Sequence, residues 1–128
     1  MKKIKLDDLQ LKIMKALWQL GEASVSDIQE VLKQEDRTFA ITTIGTILQR
    51  LYKKQIVSYR KSGRQYIYQP SISEKDVQDS MTSNLVKQLF KGKSSMLVNH
   101  LLESEDFDPE ELYRLQQMIE EAQQKNND

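Results

Sequence analysis

The chain has 128 residues, enough for one domain or for one small domain with an extension. It contains no cysteine, which excludes disulfides, thiolate metal sites and cysteine nucleophiles. Residues 1–70 carry thirteen basic and seven acidic residues, net +6, whereas residues 71–128 carry six basic and twelve acidic residues, net −6. The whole chain is therefore neutral but divided, which predicts one half that faces a polyanion and one half with another role.

Composition also narrows the class of protein. No apolar run reaches membrane-spanning length, and the basic start is not followed by the apolar stretch of a signal peptide. We therefore expect a cytoplasmic protein with no membrane insertion. One histidine, no glycine-rich phosphate loop and no acid–base constellation argue against an enzyme, and no cofactor or metal is expected.

Two amphipathic helices are predicted first. Apolar residues at helical spacing indicate one helix that Gly21 ends and a second that fades by Glu35. Ser26 and Gln29, three residues apart, have the pattern of a capping box at the start of the second helix. The inward residues are Leu9, Ile13, Ala16, Leu17 and Leu20 in the first helix and Ile28, Val31 and Leu32 in the second.

A third predicted helix, from about Ile41 to Lys54, carries the main candidate site. One face is a buried apolar stripe of Ile44, Ile47, Leu48 and Leu51. Threonine can bond to phosphate or to base edges, and arginine prefers guanine or phosphate. The opposite face has these residue types and no carboxylate, so its members are candidate DNA-binding residues: Thr42, Thr43, Thr46, Gln49, Arg50 and Lys53.

Two alternating runs rich in β-branched and aromatic residues, 56–60 and 65–69, predict a β-hairpin next. Its predicted four-residue loop, Lys61 to Arg64, gives the hairpin a cationic tip, and these two basic residues are candidate DNA-binding residues that contact phosphate. The whole segment 37–73 contains seven basic residues and no Asp or Glu. Most of the aromatic residues are expected to pack in the core or on the strands: Trp18, Tyr59, Tyr66 and Tyr68.

The order helix, short strand, helix, helix, hairpin is the layout of a winged helix-turn-helix. The fold is therefore predicted to be mainly α with a small β-hairpin, with the third helix in the major groove of double-stranded operator DNA and the hairpin tip along the phosphate backbone. We assign residues 1–70 to a winged-helix DNA-binding domain and residues 71–128 to a C-terminal helical dimerisation region. The alternatives are a winged-helix module that binds protein and a regulator that responds to a small ligand.

Three short amphipathic helices are predicted after Pro70, beginning near Ser73, Ser94 and Asp108. They would bury too little surface alone, so they must fold back on the first half or meet a second copy. We expect a homodimer, the commonest symmetric assembly and one suited to a palindromic site. The expected dimer contacts are Val77, Met81, Leu85, Leu89, Leu101, Leu112, Leu115 and Ile119.

Four segments together resemble the penicillinase-repressor (BlaI/MecI-type) family of winged-helix transcriptional regulators, over nearly the whole chain. They are residues 11–18 in the first helix, 44–54 in the third, 59–68 in the hairpin and 96–102 in the C-terminal half. The third helix and the hairpin alone would fit many other winged-helix regulators.

The resemblance implies a homodimeric repressor that occupies palindromic operators of its own operon and of a resistance gene. It also implies that a membrane-bound antibiotic sensor with a metalloprotease domain, or a protease downstream of it, triggers cleavage at Asn99–His100, where the family has Asn-Phe. A second departure precedes the third helix. There the family usually has an aromatic residue followed by Ser-Pro-Lys-Thr, and this chain has Phe39, Ala40, Ile41, Thr42 and Thr43.

Overall fold

A computed structural model describes residues 4–104 and 107–127, which form six helices and one two-stranded antiparallel sheet. The helices are α1 (Asp8–Leu20), α2 (Val25–Gln34), α3 (Ile41–Lys53), α4 (Glu74–Leu89), α5 (Ser94–Ser104) and α6 (Pro109–Asn126), and the strands are β1 (Val57–Ser62) and β2 (Gln65–Pro70). This mainly helical architecture with one hairpin confirms the predicted fold class. Two compact units divide between Asn84 and Leu85, inside α4, whereas the sequence-based assignment divides the functional regions after residue 70.

The N-terminal unit has a single apolar core formed by one face of each of the first three helices and the base of the hairpin. Burying apolar side chains away from water is the main force that holds such small helical units together. The predicted stripe of α3 is confirmed, except that Ile47 is only partly buried. The nearly inaccessible side chains include Ile13, Met14, Leu17, Ile28, Leu32, Ile44, Leu48, Leu51 and Val57.

Both ends of α1 follow from its sequence. The Asp7 carboxylate accepts a hydrogen bond from the Gln10 backbone N–H at 2.8 Å, and the Gln10 side-chain carbonyl accepts one from the Asp7 backbone N–H at 3.1 Å, so the helix begins with a capping box. At the other end Gly21 takes φ = 83°, a left-handed conformation that glycine adopts without strain, and its N–H donates to the Leu17 carbonyl. The predicted stop at Gly21 is confirmed, but the inward position predicted for Leu20 is wrong, because this last residue of the helix is 42% exposed.

The start of α2 differs from the prediction. Ser24, not Ser26, is the N-cap, and its hydroxyl accepts from the Asp27 N–H at 3.2 Å while Asp27 accepts from the Ser24 N–H at 3.1 Å. A carboxylate three residues after the cap can close the box as Glu or Gln does, and this places the helix start two residues earlier than Ser26 and Gln29 predicted. The residue before the cap, Ala23, exchanges two backbone hydrogen bonds with Tyr68 of β2, which confirms the short β-like segment.

The hairpin is longer than predicted, and its loop is shorter. The strands pair in register from Val57 with Pro70 to Ser62 with Gln65, so only Gly63 and Arg64 remain in the turn. Gly63 has φ = 63°, the left-handed conformation that a two-residue hairpin turn requires. The prediction of a four-residue loop is therefore wrong for Lys61 and Ser62, which belong to β1.

Contacts of the first turns of α4 lie within the N-terminal unit. Val77 is only 2% exposed and belongs to the apolar core, and Met81 packs against it. The Trp18 indole N–H donates to the Ile72 carbonyl at 3.0 Å, and the Ile4 N–H donates to the Ser80 hydroxyl at 3.0 Å. The first half of α4 is thus anchored to the winged-helix core.

The C-terminal unit contains the rest of α4 with α5 and α6. Asp108 caps α6 by accepting from the Glu111 N–H at 2.8 Å, and Pro109 occupies the first helical position, as predicted. Neither α5 nor α6 contains a buried residue among the positions that the structure describes. Most apolar side chains of these two helices are therefore exposed in the single chain, and Leu97 and Leu115 are half-buried.

Candidate nucleic-acid interface

The six candidate DNA-binding residues of α3 lie together on one exposed face of the helix. Ile44, Leu48 and Leu51 hold the opposite face in the core, which fixes the rotation of the helix. The exposed face carries two cations and three hydroxyl groups and no acid, and its members are Thr42, Thr43, Thr46, Gln49, Arg50 and Lys53. A face of this kind presents donors and positive charge to an approaching polyanion.

The segment before α3 is held by contacts that were not predicted from the sequence. The Gln29 amide on α2 donates to the Phe39 carbonyl at 2.9 Å, and this bond spans the turn between the two helices. The guanidinium carbon of Arg37 lies 5.5 Å from the centre of the Phe39 ring, within the range of a cation–π interaction. These contacts set where α3 begins relative to α2, which is the geometry that a helix-turn-helix needs.

The N-terminal end of α3 has no side-chain cap. Ala40 occupies the cap position without a side-chain hydrogen bond, and the first turn contains no acidic residue. The Thr46 hydroxyl donates to the Thr42 carbonyl at 2.8 Å, so its methyl group and its oxygen lone pair remain for outside contacts. Because the first turn has neither a side-chain cap nor an acidic residue, the partial positive charge at this end of the helix is uncompensated, which favours an anion such as phosphate.

The register of the hairpin separates neighbouring basic residues onto opposite faces of the sheet. Alternation places Tyr59 and Lys61 on the face that also carries Tyr66 and Tyr68, while Arg60 lies on the other face. Arg60 is paired there with Glu22 at 2.9 Å. Lys61 and Arg64 are exposed and have no ion-pair partner within residues 4–104 and 107–127, so both predicted phosphate contacts remain available.

A cluster of tyrosines joins α3 to the hairpin. The Tyr59 ring centre lies 4.8 Å from that of Tyr52, 5.0 Å from that of Tyr66 and 5.6 Å from that of Tyr68, in tilted and edge-on arrangements that aromatic rings prefer. All three hairpin tyrosines pack on the strands as predicted, but only Tyr68, which is 4% exposed, belongs to the core, whereas Tyr59 and Tyr66 remain 43% and 46% exposed. Burial raises the pKa of Tyr68, and the nearby phenols of Tyr59 and Tyr66 raise it further, so the buried phenol stays neutral.

An open cleft of about 240 Å³ lies against this cluster. Its helix wall is formed by Gln49, Tyr52 and Lys53, and its hairpin wall by Tyr59, Tyr66 and Tyr68. Two of these residues, Gln49 and Lys53, also belong to the exposed polar face of α3. Sequence reasoning identified the helix and the hairpin but not this cleft, because the cleft exists only through the strand register and the packing of β1 on α3.

The residues predicted for dimerisation fall into two groups. Val77 and Met81 are already covered by the core of their own chain. The others lie in the C-terminal unit, where Leu89 and Ile119 are 69% and 55% exposed. Leu115 is half-buried, and the remaining exposed members are Leu85, Leu101 and Leu112.

The predicted cleavage position lies in the middle of α5. Asn99 and His100 are both exposed and helical. The His100 carbonyl accepts from the Ser104 hydroxyl at 2.8 Å, and the imidazole ring centre lies 6.0 Å from that of Phe90. Across the described parts of the chain no group of three or more His, Cys, Asp or Glu residues could hold a metal ion, and no helix is long and apolar enough to cross a membrane.

Comparisons with known proteins identify relatives of this chain. The penicillinase repressor of Bacillus licheniformis is 29% identical over 129 residues, covering 100% of both chains. The methicillin resistance regulatory protein MecI of Mammaliicoccus sciuri is 25% identical over 92% of this chain and 95% of its own. Among solved structures, the DNA-binding domain of the repressor BlaI has 32% identity and a TM-score of 0.51, covering 59% of this chain and 90% of that domain.

A MarR family protein from Bacillus stearothermophilus shares only the fold, with 14% identity and a TM-score of 0.50 over 98% of this chain and 78% of its own. The family model described as "Penicillinase repressor" matches residues 6–121, nearly the whole chain. That match agrees with the resemblance found in the four sequence segments and with the winged-helix architecture. The chain belongs to the penicillinase repressor family of DNA-binding transcriptional regulators.

Proposed function

We propose that this chain is a transcriptional repressor that binds palindromic operator DNA as a homodimer, in an operon of the β-lactam-resistance type or a related one, and that proteolysis in the C-terminal region releases it. The observation that carries the proposal is the acid-free surface formed by α3 and the hairpin tip, in a chain of the penicillinase repressor family. Each part of the proposal has a physical basis in a different part of the molecule.

The N-terminal unit would read the DNA. An exposed helix with threonine, glutamine and arginine side chains suits the major groove, where base edges present distinct donor and acceptor patterns. We assign base contacts to the middle of the α3 face, around Thr46 and Arg50. Lys61 and Arg64 at the hairpin tip would contact the phosphate backbone and set the register of the helix without reading sequence.

The C-terminal unit would supply the dimer contacts. Its helices expose large apolar side chains along their length, including Leu89, Leu101, Leu112, Met118 and Ile119. Several large apolar side chains exposed within one segment favour an interaction site over an ordinary surface. A second copy of the same segment is the simplest partner, because a two-fold interface covers both surfaces at once and matches the symmetry of a palindrome.

Proteolysis at or near Asn99–His100 would separate the two functions. Both residues are exposed, so the bond is open to a protease once the helix unwinds locally. A cut there would detach α6 and the end of α5 from the dimer surface and leave the winged-helix unit intact. A membrane-bound sensor with a metalloprotease domain, or a protease downstream of it, would be the enzyme.

Salt dependence of DNA binding tests the reading function against the alternative of a protein-binding winged helix. An operator can be selected from a randomised duplex pool, and binding measured by gel shift at several salt concentrations. Lys61→Ala and Arg64→Ala should weaken binding to all duplexes alike, and each should reduce the slope of log affinity against log salt by about one.

A double variant, Glu22→Ala with Arg60→Ala, is the matched control. It removes the ion pair between Arg60, on the opposite face of the hairpin, and Glu22, and it leaves the net charge unchanged. We expect its affinity and salt slope to equal those of the wild type. If no duplex is selected from the pool, and any weak DNA binding that remains does not depend on salt, the result would contradict the proposed function and favour a protein partner.

A further inference from the structure

We propose that the cleft between α3 and the hairpin is a phosphate-binding site that takes the DNA backbone, and that the hydroxyl groups of Tyr52, Tyr59 and Tyr66 are its donors. This inference rests on the proposed function and deepens it. It adds neutral hydrogen-bond donors to a surface on which the other proposed contacts to the DNA backbone, Lys61 and Arg64, are cationic. It also gives an exposed tyrosine cluster a role that packing alone does not explain.

The first observation is the chemistry of the cleft walls. The walls carry four phenols, one amide and one ammonium group, and no carboxylate lines them. A tyrosine hydroxyl donates one hydrogen bond, an ammonium group donates three, and neither Tyr nor Lys brings negative charge at neutral pH. A phosphate oxygen accepts several hydrogen bonds and carries negative charge, so it matches this set of groups better than a cation or an apolar group would.

The second observation is that these hydroxyls are unused. Within the described residues, no hydrogen bond joins the Tyr52, Tyr59 or Tyr66 hydroxyl to another protein group, whereas the Tyr113 hydroxyl on α6 accepts from Gln117. These three residues are 43% to 46% exposed. Their contacts with one another hold the rings in place, so little side-chain entropy is lost when a phosphate binds.

The third observation is position. The helix wall of the cleft contains Gln49 and Lys53, which also belong to the predicted DNA-facing side of α3. On the hairpin wall, Tyr66 lies directly opposite Lys61 on the same face of the sheet. A DNA backbone that runs from α3 to the hairpin tip would therefore pass the cleft, between Lys53 on one side and Lys61 on the other.

The test uses the full chain and the duplex selected above. The triple variant Tyr52→Phe, Tyr59→Phe, Tyr66→Phe keeps the rings and their packing and removes only the donors. Because hydrogen bonds to a charged group are the stronger kind, we expect about a tenfold loss of affinity for selected and unselected duplexes alike. The salt slope should stay that of the wild type, because no charge is removed. Tyr113→Phe is the matched control and should bind as the wild type does.

Methylphosphonate linkages, which neutralise one phosphate at a time, locate the contact. At one position per half-site, the methylphosphonate should weaken DNA binding by the wild type but should not weaken binding by the triple variant any further. This is the coupling expected of two groups in contact. If the triple variant has an altered unfolding midpoint, Tyr66→Phe alone should show the same coupling with about a threefold loss.

Wild-type affinity in the triple variant, or a loss that is coupled to no phosphate position, would overturn the assignment of the cleft. Such a result would leave the salt dependence of Lys61→Ala and Arg64→Ala intact, and with it the proposed function. Failure of the wild type to select any duplex would instead remove the proposed function itself.

Discussion

Adjacent residues on the hairpin differ in role because strand alternation directs them to opposite faces. Arg60 and Lys61 are both exposed and basic, yet Arg60 pairs with Glu22 while Lys61 shares a face with the tyrosine cluster. Nothing in the local sequence distinguishes them, because the pair with Glu22 joins positions 38 residues apart. The charge of a residue therefore indicates a class of partner, and its register decides which partner it meets.

Arg50 is the residue from which we expect sequence specificity. It lies on the exposed face of α3, and arginine can donate two parallel hydrogen bonds to guanine. Arg50→Ala should weaken binding to the selected operator by about 1–3 kcal/mol and relax the preference at one position of each half-site. Competitive gel shifts against operators with single base changes measure both effects. An equal loss on every duplex would show that Arg50 contacts phosphate instead.

At the scale of the helix, the position of a cap decides how much a serine contributes to stability. Ser24 caps α2 with two hydrogen bonds, whereas Ser26 lies exposed in its first turn. Ser24→Ala should lower the free energy of unfolding by about 1 kcal/mol, since it leaves the Asp27 N–H without its partner. Urea denaturation followed by circular dichroism gives the value.

Ser26→Ala is the control for that experiment, because it makes the same chemical change two residues away. We expect its free energy of unfolding to stay within about 0.5 kcal/mol of the wild type, as is usual for surface positions. A larger loss for Ser26→Ala than for Ser24→Ala would place the cap where the sequence pattern first suggested it.

Helices were predictable in this chain, whereas the ends of some elements were not. The apolar period of α3 and the Asp108–Pro109 start of α6 are strong local signals, and both are confirmed. Two serines compete for the start of α2, and local sequence does not decide between them because the backbone pairing of Ala23 with Tyr68 fixes the chain before Ser24. The hairpin loop was misjudged because Lys61 and Ser62 have loop-like character but pair with Tyr66 and Gln65.

In the whole molecule, the candidate site is assembled from segments that sequence analysis treats separately. The exposed polar face of α3 could be predicted because helical periodicity determines which residues share a face. The tyrosine cleft could not, because it depends on which strand residues face α3. Similarly, the four-residue repeat through Val77 and Met81 shows an apolar face but not what covers it, and the structure places both in the winged-helix unit.

The dimer prediction belongs to this scale. Leu89→Glu should convert a dimer into a monomer at micromolar concentration, because a charge buried in an apolar interface without a partner is strongly disfavoured. Operator affinity should then fall, since two half-sites are no longer bound at high effective concentration. Sedimentation velocity and gel shift measure the two outcomes.

Leu20→Glu is a suitable comparison, because Leu20 is also an exposed leucine but ends α1 in the N-terminal unit. It should leave the oligomeric state unchanged. A wild-type chain that sediments as a monomer at micromolar concentration would remove the basis for the dimer prediction.

The consequence of cleavage can be examined without knowing the protease. A chain ending at Asn99 lacks the end of α5 and all of α6, and with them Leu101, Leu112 and Ile119. Loss of that apolar surface, at about 25 cal/mol per Å², should cost several kcal/mol of dimer stability. The contacts of the winged-helix core that follow Val77, the hydrogen bond from Ile4 to Ser80 and the packing of Met81, all lie before Asn99, so the shortened chain should still fold and contact single half-sites. We expect it to be monomeric and to release a palindromic operator that the full chain holds.

Whether cleavage occurs in cells is a separate measurement. Mass spectrometry of the protein recovered from derepressed cells should detect two fragments that meet at or near Asn99–His100. An intact chain during complete derepression would exclude cleavage and leave release by a bound ligand as the mechanism.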